Sequence, residues 1–135
     1  MSSASLASEY VADTMALVLH LENRRSSTTV TTIFNEADQN RITIHIPAIV
    51  LAEIFYLFER GRISIGIAAV EAHIVSHHNY RQIPLDLAVI KNAQNITDIP
   101  ELHDRLIAST ANFCGLELIT NDAKIQNSAF VQTIW

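Results

Sequence analysis

Five acidic side chains stand where an acid is awkward for folding and useful for holding a cation: Asp13, Glu53, Glu101, Asp104 and Asp122. Glu53 interrupts the tract Ala48 to Phe58, in which every other residue is apolar. At helical pitch that tract predicts a helix buried on nearly every side with Glu53 partly buried, and an unpaired buried carboxylate is strongly unfavourable. No Lys or Arg lies within one turn of it, so a proton, a distant base or a metal ion must neutralise it. Glu101 and Asp104, three apart, share a face near the start of another predicted helix. Acids there also complement the helix dipole, and Arg105 is placed to pair with Glu101 at i+4. Asp13 and Asp122 each follow a strand-like segment, a position that suits helix capping as well as ligand binding.

Carboxylates gathered in one pocket repel one another unless something compensates. Hard divalent cations such as Mg²⁺ or Mn²⁺ prefer carboxylate oxygens, and a pair of them can activate a water and steady both oxygens of an in-line displacement at phosphorus. Hydrolysis of a phosphodiester is the matching reaction. A second set of potential ligands, His73 and His77, has the i,i+4 spacing that binds transition metals. With no third ligand nearby in sequence, those two read as a solvated helix end.

The chain has 135 residues, 49% of them hydrophobic and 17% charged, which suits one globular domain with apolar surface to spare for a partner. Residues 1–8 read as a flexible N-terminal tail and residues 9–135 as a single domain. The lone Cys114 cannot form an internal disulfide, which points to the cytoplasm. The first nine residues lack the pattern of a secretory signal, and the longest apolar tract, Ile46 to Phe58, is too short to span a bilayer. A net charge of −5 argues against holding nucleic acid by general phosphate attraction, although cations bound among the acids would offset part of it.

Hydrophobic periodicity predicts the elements that must position these residues. A strand from Glu9 to Asp13 leads into a helix from Thr14 to Glu22, and a second helix begins near Val30 and ends near Gln39. A strand follows from Ile42 to Ile46, with Pro47 as the first residue of the helix that carries Glu53. Another apolar-rich helix spans Ile63 to Val75, then a strand from Tyr80 to Pro84 and a helix from Asp86 to Ala93. Asp98 and Glu101 read as a capping box for a helix from about Ile99 to Cys114, with Gly115 as its left-handed cap. Strands from Leu116 to Thr120 and from Val131 to Trp135 complete the chain. Alternating strands and helices argue for a parallel α/β sheet flanked by helices on both faces, with ligands at the carboxyl ends of the strands, where all five acids can converge.

Four segments, Tyr-Val-Ala-Asp13-Thr-Met-Ala-Leu, Ile-Pro-Ala-Ile-Val-Leu-Ala-Glu53-Ile, Ile-Pro-Glu101-Leu-His-Asp104-Arg-Leu-Ile-Ala and Leu-Ile-Thr120-Asn-Asp122, resemble the ordered motifs of PIN-domain nucleases. The likeness runs from Glu9 to Trp135, and the length is similar to that of a VapC-type toxin of a type II toxin-antitoxin system. The resemblance implies a PIN-like three-layer sandwich and an endoribonuclease dependent on Mg²⁺ or Mn²⁺. It implies Asp13, Glu53, Asp104 and Asp122 as the catalytic, metal-binding acids, with Glu101 as a further acidic ligand. Thr120 and Thr14 are implied as residues that order the site. It also implies RNA as substrate, a homodimer, and a small antitoxin protein that blocks the site. Met15 departs from the pattern, since the family often has a small or polar residue there. Two other readings compete: a catalytically silent PIN-like interaction module, and a phosphoacceptor signalling domain, for which Lys124 follows Asp122 too closely.

Overall fold

The strand order β3-β2-β1-β4-β5, with every pairing parallel, places the first strand in the middle of a five-stranded sheet. The structure is a computed structural model that describes residues 5–135. The strands are β1 (Glu9–Ala12), β2 (Thr43–Pro47), β3 (Tyr80–Ile83), β4 (Leu118–Ile119) and β5 (Thr133–Ile134). Between them run α1 (Thr14–Leu21), α2 (Thr28–Asp38), α3 (Ala48–Glu59), α4 (Ile67–Ser76), α5 (Leu87–Ala93), α6 (Leu102–Cys114) and α7 (Ala123–Gln126). The chain steps from β1 to β2 to β3 in one direction and then crosses back past β1 to β4 and β5. Right-handed crossovers therefore put α1 to α4 on one face and α5 to α7 on the other, the three-layer α/β sandwich expected.

The central strands carry the core because they are covered on both faces. Val11, Ala12, Ile44, Ile46, Leu118 and Ile119 are all fully buried, packed with Leu17, Phe34, Ile54 and Ile107 from the helices. Of the expected N-terminal tail, residues 1–4 lie outside the described residues. The remainder is held in part, since the Ser8 carbonyl accepts from the Thr43 amide and the Ala7 amide donates to the Tyr10 hydroxyl.

Several boundaries differ from the sequence expectation, each for a local reason. Pro47 ends β2 and stands at the N-cap of α3 rather than inside the helix, with φ −61° and ψ 142°. The helix expected from Ile63 starts at Ile67, because Ser64 and Ile65 are held outside it by their amides donating to the Glu22 carboxylate. Asp98 is drawn away from any capping role by Ser128 and the Ala129 amide, each 2.8 Å from its carboxylate. Glu101 takes the N-cap of α6 instead, accepting from the Asp104 amide at 2.9 Å. The expected pairing of Arg105 with Glu101 does not form, since Arg105 reaches back to the carbonyls of Ala93 and Gln94.

Helix α3 corrects the expectation of burial on nearly every side. Val50 and Ile54 face the core, whereas Phe55, Tyr56 and Phe58 are about half exposed. Gly115 ends α6 in the left-handed conformation at φ +68°, with nothing near the position a Cβ would take. Gly115→Ala therefore meets only the backbone penalty, and an urea denaturation midpoint should report a loss of about 1 kcal/mol.

Candidate active site

The reversal of strand order between β1 and β4 opens a crevice at their carboxyl ends, the place where open α/β sheets bind ligands. Asp13 directly follows β1 and caps α1 by accepting from the Ala16 amide at 2.8 Å. Asp122 follows β4 by way of Thr120 and Asn121 and caps α7 through the Lys124 amide at 2.8 Å. Capping and site-building are thus the same placement. α3 brings Glu53 and the first turn of α6 brings Asp104, so four carboxylates from four elements line one cleft of about 490 Å³. Thr14, Met15, Leu57, Ile107, Asn121 and Trp135 also line it.

Two threonines hold the acids in place. Thr14 donates its hydroxyl to Glu53, tying the start of α1 to α3. The Thr120 hydroxyl accepts from the Asp122 amide at 3.1 Å and, near Asp13, favours the ionised form of that carboxylate. Glu101 does not line the cleft; one of its oxygens caps α6 and the other meets His103 at 3.0 Å. Its negative charge still reaches Asp104.

The electrostatics are those of a site short of positive charge. None of the four acids lining the cleft forms an ion pair among the described residues. Burial pushes the Asp13 carboxyl up to about 6, with Asp122 and Glu53 adding to the rise and the nearby Thr120 hydroxyl and the bond from the Ala16 amide opposing it. Asp104 is also raised, first by burial and then by Asp122, Glu101 and Glu53, against the pull of Lys124. Divalent cations fit this donor set, because oxygen anions without a cationic partner are what Mg²⁺ and Mn²⁺ select.

The lone set of three or more His, Cys, Asp or Glu side chains with ligand atoms all within 4.8 Å of one another, among the described residues, lies elsewhere: His20, Asp38 and His73. The acids of the cleft are more widely spaced than that. His73 was visible in the sequence as half of an i,i+4 pair, but its partners come from α1 and α2, and no local pattern marks them.

A doubly wound α/β domain with carboxylates at its switch point is the class this architecture defines. The chain belongs to the PIN domain family, whose profile matches residues 10–131, and PIN domains are generally nucleases. Among solved structures, VapBC2 from Rickettsia felis bound to a promoter DNA fragment is similar at a TM-score of 0.72 and 18% identity, covering 94% of this chain and 98% of that one. DNA-bound VapBC from Salmonella typhimurium is similar at 0.68 and 15%, covering 93% and 96%. FitAcB from Neisseria gonorrhoeae is similar at 0.63 and 18%, covering 93% and 96%. At such identities the likeness establishes the fold. No curated protein sequence matches the chain. No helix among the described residues is long and apolar enough to cross a membrane.

Proposed function

We propose that this protein is a metal-dependent endoribonuclease acting in the cytoplasm as the toxin of a toxin-antitoxin pair. The observation that carries the reading is the convergence of Asp13, Glu53, Asp104 and Asp122 in one cleft with no ion-pair partner for any of them among the described residues. Those four would hold Mg²⁺ or Mn²⁺, which supplies a Lewis acid and lowers the pKa of water enough to make it a nucleophile at neutral pH. The chain's own contribution is positional: Thr14 orients Glu53, the Ala16 amide holds the Asp13 carboxylate, and Thr120 fixes the backbone at Asp122. Glu101 sets the start of α6 and so the placement of Asp104, in place of the direct ligand role expected of it. Bound cations also ease the approach of a polyanion to a chain of net charge −5.

Support for an antitoxin partner comes from the VapBC neighbours and from an apolar groove beside the cleft, lined by Ala52, Phe55, Tyr56, Leu57 and His103. Half-exposed aromatics of α3 suit a partner helix or the same face of a second copy, which makes a homodimer part of the proposal. The test is incubation of the purified protein with structured and single-stranded RNAs in Mg²⁺, in Mn²⁺ or in chelator. Cleavage with metal and none in chelator is expected; RNA left intact under all three conditions would favour the silent interaction module.

Stability supplies a second check. Removing one charge from a like-charged cluster relieves repulsion, so Asp104→Asn should melt above wild type in chelator. Added Mn²⁺ should then raise the wild-type melting temperature more than the variant's, because the intact site gains more binding free energy on folding. Calorimetry of both proteins with and without metal reads the two signs, and a variant that melts lower in chelator would make Asp104 a structural acid.

A further inference from the structure

We propose that His20, Asp38 and His73 form a second metal site, for a borderline transition ion such as Zn²⁺, distinct from the acid-lined cleft. The three side chains come from three helix ends: His20 in the last turn of α1, Asp38 as the last residue of α2, and His73 in the last turn of α4. The carboxyl end of a helix carries partial negative charge, so three of them meeting at a carboxylate make a strongly cation-seeking point. No Lys or Arg pairs with Asp38 among the described residues; its ion-pair partners are the two imidazoles.

The spacing already approaches that of a coordination shell. His20 Nε2 lies 2.8 Å from Asp38 Oδ2, His73 Nε2 lies 3.1 Å from Asp38 Oδ1, and all three ligand atoms lie within 4.8 Å of one another. In a tetrahedral site with metal-ligand bonds of about 2.0–2.1 Å, neighbouring ligand atoms stand about 3.3 Å apart. To seat an ion, the two short contacts, which engage different oxygens of Asp38, open by a few tenths of an ångström and the two histidine nitrogens, no more than 4.8 Å apart, close toward the same spacing, leaving one position for water.

The surroundings hold the ligands in orientation. His20 stacks on Phe34 at 4.7 Å, and His73 is stacked by His77 at 4.0 Å and met edge-on by Tyr80 at 4.5 Å. Tyr80 donates its hydroxyl to Asp38 Oδ1, an outer-shell bond of the kind that orients a metal carboxylate. The side chains of His20, Asp38 and His73 keep 17%, 29% and 18% of their surface exposed, enough for an ion to enter. Two imidazoles and one carboxylate select Zn²⁺ or Co²⁺ over Mg²⁺, whereas the all-oxygen cleft has the opposite preference.

The experiment titrates metal-stripped protein with Zn²⁺ against a chromophoric chelator in excess Mg²⁺. One Zn²⁺ per chain is expected, with affinity falling by about 100-fold or more in His20→Gln and in His73→Gln. It should be kept in His45→Gln and His103→Gln, which alter the separate His45–Glu9 and His103–Glu101 pairs. Co²⁺ should give the visible absorption of a tetrahedral site in wild type and lose it in the first two variants. In wild-type protein itself, Zn²⁺ should move the imidazole NMR signals of His20 and His73, a readout independent of whether any variant folds. Absence of stoichiometric Zn²⁺ binding by wild type, or binding that survives both His20→Gln and His73→Gln, would overturn the site and leave a hydrogen-bonded strut between helices. These readouts are separate from RNA cleavage, so they stand or fall apart from the nuclease reading.

Discussion

Asp13→Asn and Asp122→Asn should each lower metal-dependent RNA cleavage by about a thousandfold, the effect of losing roughly 4 kcal/mol of transition-state stabilisation at a metal-assisted displacement. An amide keeps the shape of the side chain and its capping oxygen, so the Ala16 and Lys124 amides retain their acceptors. What disappears is the negative charge that holds a cation in the cleft. Initial cleavage rates at saturating Mg²⁺ or Mn²⁺, with circular dichroism to confirm that each variant is folded, make the comparison. Cleavage at the wild-type rate by either variant would remove that residue from the metal site.

In chelator the same Asp13→Asn substitution should stabilise the protein, and the pH dependence fixes the sign. Asp13 titrates near 6 in the folded chain against 3.8 as its ordinary value, so the folded state holds that proton more tightly than the unfolded one. Below about pH 4 both states are protonated and the group is neutral in its effect. As the pH rises to about 6 the unfolded carboxyl has ionised first, and the folded state loses about 3 kcal/mol relative to it. Asparagine does not ionise and avoids that loss. At pH 7.5 the variant should therefore melt higher than wild type by about 10 °C, with the gap closing near pH 4. Glu22, held down to about 2 first by the Ser64 amide, shifts both proteins equally with pH, so the difference between them isolates Asp13. A variant that melts below wild type at pH 7.5 in chelator would mean that the ionised carboxylate is a favourable structural element.

The acids were legible in the sequence because each breaks a pattern. Asp13 and Asp122 follow short apolar strands, and Glu53 is the one charge in an apolar tract, so their placement at one sheet edge follows from parallel topology alone. The same tract shows where reading stops: Phe55, Tyr56 and Phe58 have the composition of core yet stay half exposed. Periodicity cannot tell surface kept for a partner from surface buried in the domain. The cap of α6 was misplaced because Asp98 and Glu101 are both competent caps three residues apart, and Ser128 and Ala129, thirty residues on, decide between them. Of His20, Asp38 and His73 only His73 stood out in the sequence, paired with His77, since no two of the three lie on the same helix.

The central position of β1 has a consequence for synthesis. Val11 and Ala12 pair on one side with β4, through Leu118 and Ile119, and the chain is made from its N-terminus. While the ribosome is still adding residues, β1, β2 and β3 can pair and bury much of the α1 to α4 face, but the other flank of β1 stays open until β4 emerges. Asp122 is among the last residues of that segment, so Asp13, Glu53 and Asp104 are all present on a nascent chain in which the fourth acid is still missing. A nascent chain therefore carries an incomplete acid cleft until β4 and Asp122 have been made.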